Sequence, residues 1–384
     1  MRSGFFCRML LVSVVLSASG GEPEVLWWAG FPNSGSSVVW DVSEAPSGGY
    51  VVVGEIDLGT SGEKALNICG VDRDGFVLWE NTALSLGNAS AFAIEGLSDG
   101  FAVCGVCSDS SGTQGLVLKM DFSGNTVWSL DIGYEEDDAL LDFCLTPEGN
   151  ILAVGYSVNG EEQTNNIFAV CVSDSGSVLW RKRYVDPHYQ TACSITPSLG
   201  SEPGFILTGS DNGDVFLMQI DSQGNWLWKA NHPLEGNQTG RSVTASADDG
   251  YIVAGSTRGS SGYSDVLLVF FDKDGKVISD YIWGTDGPDN AYAIREVPPA
   301  GYVVLVNSNS GTGEGYRPFL LRFDLWLSVV WSVEIIDRDA LCYSLVQTED
   351  GGFIVAGKIS APEGGTNYSS CVVRLSAEDL LNWD

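Results

Sequence analysis

The sequence is poor in histidine, methionine and basic residues: two His, four Met, and 19 Lys and Arg against 50 Asp and Glu in 384 positions. Each shortage closes off a class of function. With only His188 and His232 present, Ser–His–Asp or Cys–His catalysis has little material. No G-x-S-x-G, H-E-x-x-H or phosphate-loop pattern occurs. A chain this acidic repels DNA, RNA and anionic lipid at long range, so no nucleic-acid partner is expected. Solubility accounts for the charge, and a preference for cationic or neutral ligands is the sharper alternative. Helical spacing of apolar residues is also missing. The apolar residues make up 44% of the chain and fall in short runs among 47 Gly and 13 Pro. That pattern indicates an all-β chain with many turns.

The N-terminus reads differently. Arg2 and Arg8 flank the start of MLLVSVVL (9–16), followed by Ser17, Ala18, Ser19 and Gly20. A basic start, a short apolar run and small residues form a secretory signal peptide. We assign residues 1–20 to it, which implies a secreted, periplasmic or cell-surface location; an uncleaved anchor or a buried strand is the alternative. The apolar run is too short to span a bilayer, and no other segment is long and apolar enough, so the mature chain is expected to have no transmembrane segment. Cys7 precedes the run, so a lipoprotein cysteine is not in place. Removal of residues 1–20 leaves 17 basic and 50 acidic residues, a net charge of −33.

Eight cysteines remain. Most sit inside apolar runs, as Cys69, Cys104, Cys171 and Cys371 do, where a free thiol behaves as a small hydrophobe. Cys104 and Cys107 form a CxxC, but on a strand they point to opposite faces about 10 Å apart. A disulfide needs Cα atoms within about 7 Å. One or two disulfides elsewhere are left open for an oxidising compartment.

What is abundant is repetition. SGGYVVVGE (47–55), SDGFAVCGV (98–106), EPGFILTGS (202–210), DDGYIVAGS (248–256) and EDGGFIVAGK (349–358) are versions of one phrase. Its closing glycine falls at Gly54, Gly105, Gly155, Gly209, Gly255 and Gly357, with Val306 in the sixth copy, at spacings of 51, 50, 54, 46, 51 and 51. A second landmark follows each copy: Asp-x-x-Gly-x-x-x-Trp, as in DRDGFVLW (72–79), DFSGNTVW (121–128) and DSQGNWLW (221–228). The Asp-x-x-Gly portion is hairpin chemistry, because Asp bonds its own backbone and Gly accepts positive φ.

Four short strands fit each repeat, and four strands per unit of about fifty residues is a propeller blade. The predicted fold is an all-β, seven-bladed β-propeller with four antiparallel strands per blade, spanning residues 21–384. The Trp slot recurs at Trp27, Trp79, Trp128, Trp180, Trp228, Ser279, Trp331 and Trp383, one more than seven blades need. VLWW (25–28) is therefore expected to serve as the outer strand of blade seven and to close the ring. The tail 376–384 starts like a capping box, Ser376-x-x-Asp379, which indicates a helical turn.

The Asp-x-x-Gly-x-x-x-Trp repeat resembles that of the PQQ-like, or quinoprotein dehydrogenase-like, propellers. Combined with DGGYIVAG-type phrases, it is similar to a group of secreted bacterial propellers. The resemblance covers about residues 25–375. It implies the fold; it does not carry an activity. Quinoprotein dehydrogenases usually have eight blades, a pocket with adjacent cysteines and a calcium site, whereas this chain has seven repeats and no adjacent cysteine pair.

Propeller geometry puts the strand 2–3 and strand 4–1 loops on one face. These are the long, variable loops, and binding residues favour such loops on a rigid scaffold. Acidic residues gather there: Glu135, Glu136, Asp137, Asp138, Asp186, Asp286, Asp289, Asp337 and Asp339. So do the aromatics Tyr134, Tyr189, Tyr263, Trp283, Tyr316 and Tyr368. His188 and His232 lie in successive 4–1 loops and, with Asp186, have metal-ligand chemistry, but they are read first as two solvent-exposed loop histidines. Asp72-x-Asp74-Gly75 and Asp272-x-Asp274-Gly275 echo calcium loops without the further ligands. Arg181, Lys182 and Arg183 read as edge-strand protection. The sequence is thus read as a monomeric binding module for glycan, peptide or protein. Its candidate ligand-binding residues are Asp138, Asp289, Asp339, Tyr189, Trp283 and Tyr316, with no catalytic residue, metal or cofactor assigned. The alternative is an enzyme on the same face: a glycosidase using paired loop carboxylates, or a quinoprotein-like oxidoreductase.

Overall fold

A computed structural model describes residues 10–11, 22–31, 36–46, 48–59, 63–82, 86–109, 112–134, 137–160, 164–200, 204–258, 262–297, 301–310, 315–360 and 367–377. They form seven antiparallel sheets around a central axis. Blade one runs from its inner strand Ser37–Glu44 through Tyr50–Asp57 and Lys64–Val71 to its outer strand Val77–Thr82. Blades two to six repeat that order, with inner strands Asn88–Leu97, Asp138–Leu145, Gln190–Pro197, Asn237–Ser246 and Asp289–Glu296. Blade seven takes three strands from Ala340–Gln347, Phe353–Ser360 and Tyr368–Leu375, and its fourth, Val25–Phe31, from the other end of the chain. Trp28 pairs with Val373 and Phe31 with Ser370, so the expected closure of the ring by the N-terminal strand holds. Ser376 reinforces it, exchanging hydrogen bonds with Glu24 at 2.8 Å in both directions.

Leu10–Leu11 adds a two-residue pairing outside Val25–Phe31. The rest of the assigned signal peptide, Glu135, Glu136 and the capping-box tail from Asp379 lie outside the described residues. Among the described residues, no helix is long and apolar enough to cross a membrane.

The Asp-x-x-Gly turns work as their chemistry predicts. Asp72 Oδ1 accepts the Asp74 and Phe76 amides, and Asp121 Oδ1 those of Ser123 and Asn125. Asp272 Oδ1 binds the Asp274 and Lys276 amides in the same way, so the calcium-loop echoes are self-capped turns. The tryptophans explain the glycines. Five outer-strand indoles lie on the turn glycine of the next blade: Trp27 on Gly75, Trp79 on Gly124, Trp128 on Gly176, Trp180 on Gly224 and Trp228 on Gly275. A Cβ at any of these glycines would stand under 3.0 Å from the ring. The indole N–H of Trp27, Trp128 and Trp180 donates to the carbonyl of the second turn residue, at 2.8–3.1 Å.

Cys104 packs into the core between blades two and three and Cys107 into that between blades one and two, confirming that the CxxC divides between opposite faces. No disulfide joins any of the eight described cysteines.

These contacts predict a graded response to alanine. Gly149 has φ of 80° and open space around it, whereas Gly224 has φ of 73° and the Trp180 ring 2.6 Å from a new Cβ. Gly149→Ala should cost about 1 kcal/mol of backbone strain, and Gly224→Ala about 2–4 kcal/mol, because overpacking adds to the strain. Urea unfolding midpoints of the two variants check this; equal losses would show that the indole contact contributes nothing.

Candidate functional site: the central channel

All seven inner strands carry a β-bulge at the same place, where the pairing register skips one residue. The skipped residues are Trp40, Phe92, Leu141, Cys193, Arg241, Tyr292 and Tyr343, and all seven line one cavity on the propeller axis. The bulges have a backbone cause and consequence. Two residues before six of the seven bulges, the strand carbonyl presses against a glycine of the neighbouring strand, as the Val38 carbonyl does on Gly54 and the Ser90 carbonyl on Gly105. A Cβ at these six positions would collide, which is why the phrase ends in glycine in every copy but the sixth, where Val306 stands.

The cavity has a volume of about 680 Å³, within the range of small-ligand sites. Its walls run from the bulges to the ends of the inner strands, as far as Pro197, so it occupies the half of the channel nearer the short strand 1–2 turns. Five bulge residues touch in sequence around it. The Arg241 guanidinium lies 4.7 Å over Tyr292, Tyr292 meets Tyr343 edge-on at 5.2 Å, Tyr343 meets Trp40 at 4.5 Å, and Trp40 meets Phe92 edge-on at 5.9 Å. Trp40 Nε1 and Arg241 Nε have no hydrogen-bond partner among the described residues.

The residue after five of the seven bulges ties one blade to the next. Asp41 Oδ2 accepts the Ile94 amide at 2.8 Å and Asp142 Oδ2 the Ile195 amide at 2.9 Å. Ser194 and Ser242 receive the amides of Val243 and Ile294 in the same way, and the Ser344 hydroxyl donates to Asp41 Oδ1. Two residues further on, Glu95 projects into the lumen. Burial raises the Asp41 carboxyl and pushes that of Asp142 up to about 6. Glu95 is pushed up to about 7, by desolvation first and then by the charges of Asp142 and Asp41. The Cys193 thiol is pushed up to about 11 by burial, so it stays protonated near neutrality.

None of the six residues singled out on the long-loop face lines this cavity. Asp138 and Asp289 are fully buried and cap their own 4–1 loops: Asp138 Oδ2 accepts the Tyr134 amide, and Asp289 Oδ2 the Thr285 amide and hydroxyl. Asp339 and Tyr316 do meet, through the Tyr316 amide at 2.9 Å, and the Tyr368 hydroxyl donates to the same carboxylate at 2.8 Å. Trp283 packs on the core between blades five and six, and Tyr189 is 59% exposed. Tyr134 is covered by Arg181 and Arg183, at 4.9 and 4.7 Å from its ring. His188 joins Asp186 and Asp211 rather than His232, with ligand atoms within 4.8 Å of one another. Lys229 already neutralises Asp211 at 2.7 Å, and His232 faces Asp280 at 3.4 Å.

The bulge residues escaped the reading of the sequence because they differ chemically from blade to blade. A signal was present: each stands 13 to 16 residues before its anchor position.

No protein-family profile matches the chain, and no characterised protein sequence does. Solved structures do. The WD40 domain of Neurospora crassa Pan2 superposes with a TM-score of 0.56 at 11% identity, over 90% of this chain and 93% of that one. Sqt1 from Chaetomium thermophilum gives 0.53 at 12% identity, over 90% and 97%. A protein of unknown function from Dyadobacter fermentans gives 0.52 at 11%, over 90% and 96%. At such identities the likeness is one of fold.

The raised Glu95 pKa carries a sign. The folded chain holds this proton more tightly than an unfolded glutamate does, so the stability that accompanies protonation is full below about pH 4 and is lost as pH rises towards 7. Glu95→Gln should therefore raise the melting temperature at pH 8 and leave it nearly unchanged at pH 4. An equal shift at both values would show that Glu95 does not titrate in this way.

Proposed function

We propose that this propeller is a secreted or surface-associated interaction module that holds a glycan, peptide or protein segment at its central channel. One observation carries the reading: the bulged inner strands turn residues that differ from blade to blade into a shared cavity, and five of them form a continuous arginine–aromatic arc. Flat rings beside unsatisfied N–H donors suit a ligand with an apolar face and polar edges. The propeller fold of the structural neighbours, one of them a WD40 domain, supports an interaction role. The signal-peptide pattern supports export, and the turn-and-tryptophan repeat supports a place beside the PQQ-like propellers.

A second reading, a glycoside-active enzyme, draws on one observation: Glu95, held near neutrality, has the pKa of a general acid and sits among other carboxylates. Turnover of a glycan panel that Glu95→Gln abolishes would establish it.

The binding reading is tested with residues 21–384 on glycan and peptide arrays. The paired substitution Arg241→Gln and Tyr292→Leu should weaken any hit by about tenfold or more, since hot-spot arginines and tyrosines carry most binding energy. Tyr189→Ala, Trp283→Ala and Tyr316→Ala together should leave it intact. The reverse result would move the site to the long-loop face.

A further inference from the structure

The charges in the channel are sorted by blade. Asp41, Glu95 and Asp142 come from blades one, two and three, and Arg241 and Arg295 from blades five and six. Blades four and seven, which separate the two groups, contribute uncharged residues such as Cys193 and Tyr343 to the same wall. The lumen thus has an acidic side facing a basic side. Among the described residues, no ion pair within 4.0 Å joins them. Arg295 is near enough only to offset part of the burial effect on Asp41.

Opposed and unpaired charges across a protein-walled cavity create a field that water screens incompletely. A neutral sugar gains nothing from that field. A simple cation would suit the acidic side and be repelled by the arginines; a simple anion meets the converse. A molecule with both charges gains from both sides. The aromatic arc runs from Arg241 around to Phe92 and so links the basic side to the acidic side with apolar surface.

From this arrangement we infer that the channel binds a zwitterion of the amino-acid or short-peptide class. Its carboxylate faces Arg241 and Arg295, its ammonium faces Glu95 and Asp142, and its apolar side chain lies on Trp40, Tyr292 and Tyr343. The inference rests on the channel as the binding site and names the ligand class for it. Arg241 Nε, without a hydrogen-bond partner among the described residues, is a donor available to the carboxylate. Glu95 forms no ion pair within 4.0 Å among the described residues and takes the ammonium as its counter-charge.

Calorimetric titration of residues 21–384 tests this with L-leucine, L-phenylalanine and alanyl-phenylalanine, each beside its N-acetyl and its C-amide derivative. At least one zwitterion should bind, and blocking either terminus should weaken it by about tenfold or more. Glu95→Gln should weaken the free zwitterion and leave the N-acetyl derivative unaffected; Arg241→Gln should do the same for the C-amide derivative. This pairing of protein and ligand changes separates lost charge recognition from lost folding. Absence of binding by all three zwitterions at millimolar concentration, or equal binding by free and blocked forms, overturns the inference. If an array ligand without free termini is lost on Arg241→Gln, the channel reading stands and the ligand class falls. If a zwitterion binds and neither substitution affects it, the channel itself is not the site.

Discussion

The ring depends on one contact made over and over: an indole of one blade laid on a glycine of the next. A blade is hydrophobic on both faces and cannot bury them alone. The Trp–Gly contact fixes how close the rims of adjacent blades come, and the indole N–H fixes the angle by bonding the turn backbone. Truncating such a tryptophan costs about 3 kcal/mol. Two junctions lack the contact: Trp331 of blade six packs into the core beside blade seven instead, and the junction of blades five and six shows the dependence. Blade five has Ser279 in place of the tryptophan, and the turn it faces in blade six has Leu327 in place of glycine, at φ of 60°. With no indole to receive, the turn tolerates a side chain and carries the strain in its backbone. At the closure, Trp27 of the N-terminal strand sits on Gly75, so the junction between blades seven and one uses the same contact as the four junctions from blade one to blade five.

At the axis a different device takes over. The bulge twists each inner strand so that one side chain enters the lumen while the next reaches sideways to an amide of the following blade. Structure and recognition are thereby divided between adjacent residues. Asp41 and Asp142 spend their oxygens on backbone amides, while Trp40 and Leu141 face the cavity. The stitching is incomplete: Ala93 and Ala293 have no side-chain acceptor, so blades two and six reach the next blade without it. The lumen side chains are therefore free to vary without loss of the blade contacts. The carboxyls so enclosed hold their protons more tightly than exposed ones.

On the opposite face, acidic residues have a structural employment. Asp138 and Asp289 stand at the start of their inner strands and hold the preceding loop by its amide, as Asp339 holds Tyr316. Each of these carboxylates accepts a loop amide.

Blade number, strand order and ring closure were legible in the sequence, because each rests on local periodicity and on turn chemistry confined to a few residues. Gly75 and Trp79 announce a hairpin and an outer strand without help from the rest of the chain. The anchor glycines were legible as landmarks, but their cause, a carbonyl pressed close by a bulge, is a contact across two strands. The candidate site was not legible for the same reason. Trp40, Tyr292 and Arg241 are about 50 to 250 residues apart and chemically unlike, and only closure of the ring sets them around one lumen. Loop carboxylates cannot declare from sequence whether they face solvent or their own backbone. Local chemistry determined the blade; the tertiary structure alone decided which side chains share an axis, because that depends on the angle at which seven blades meet.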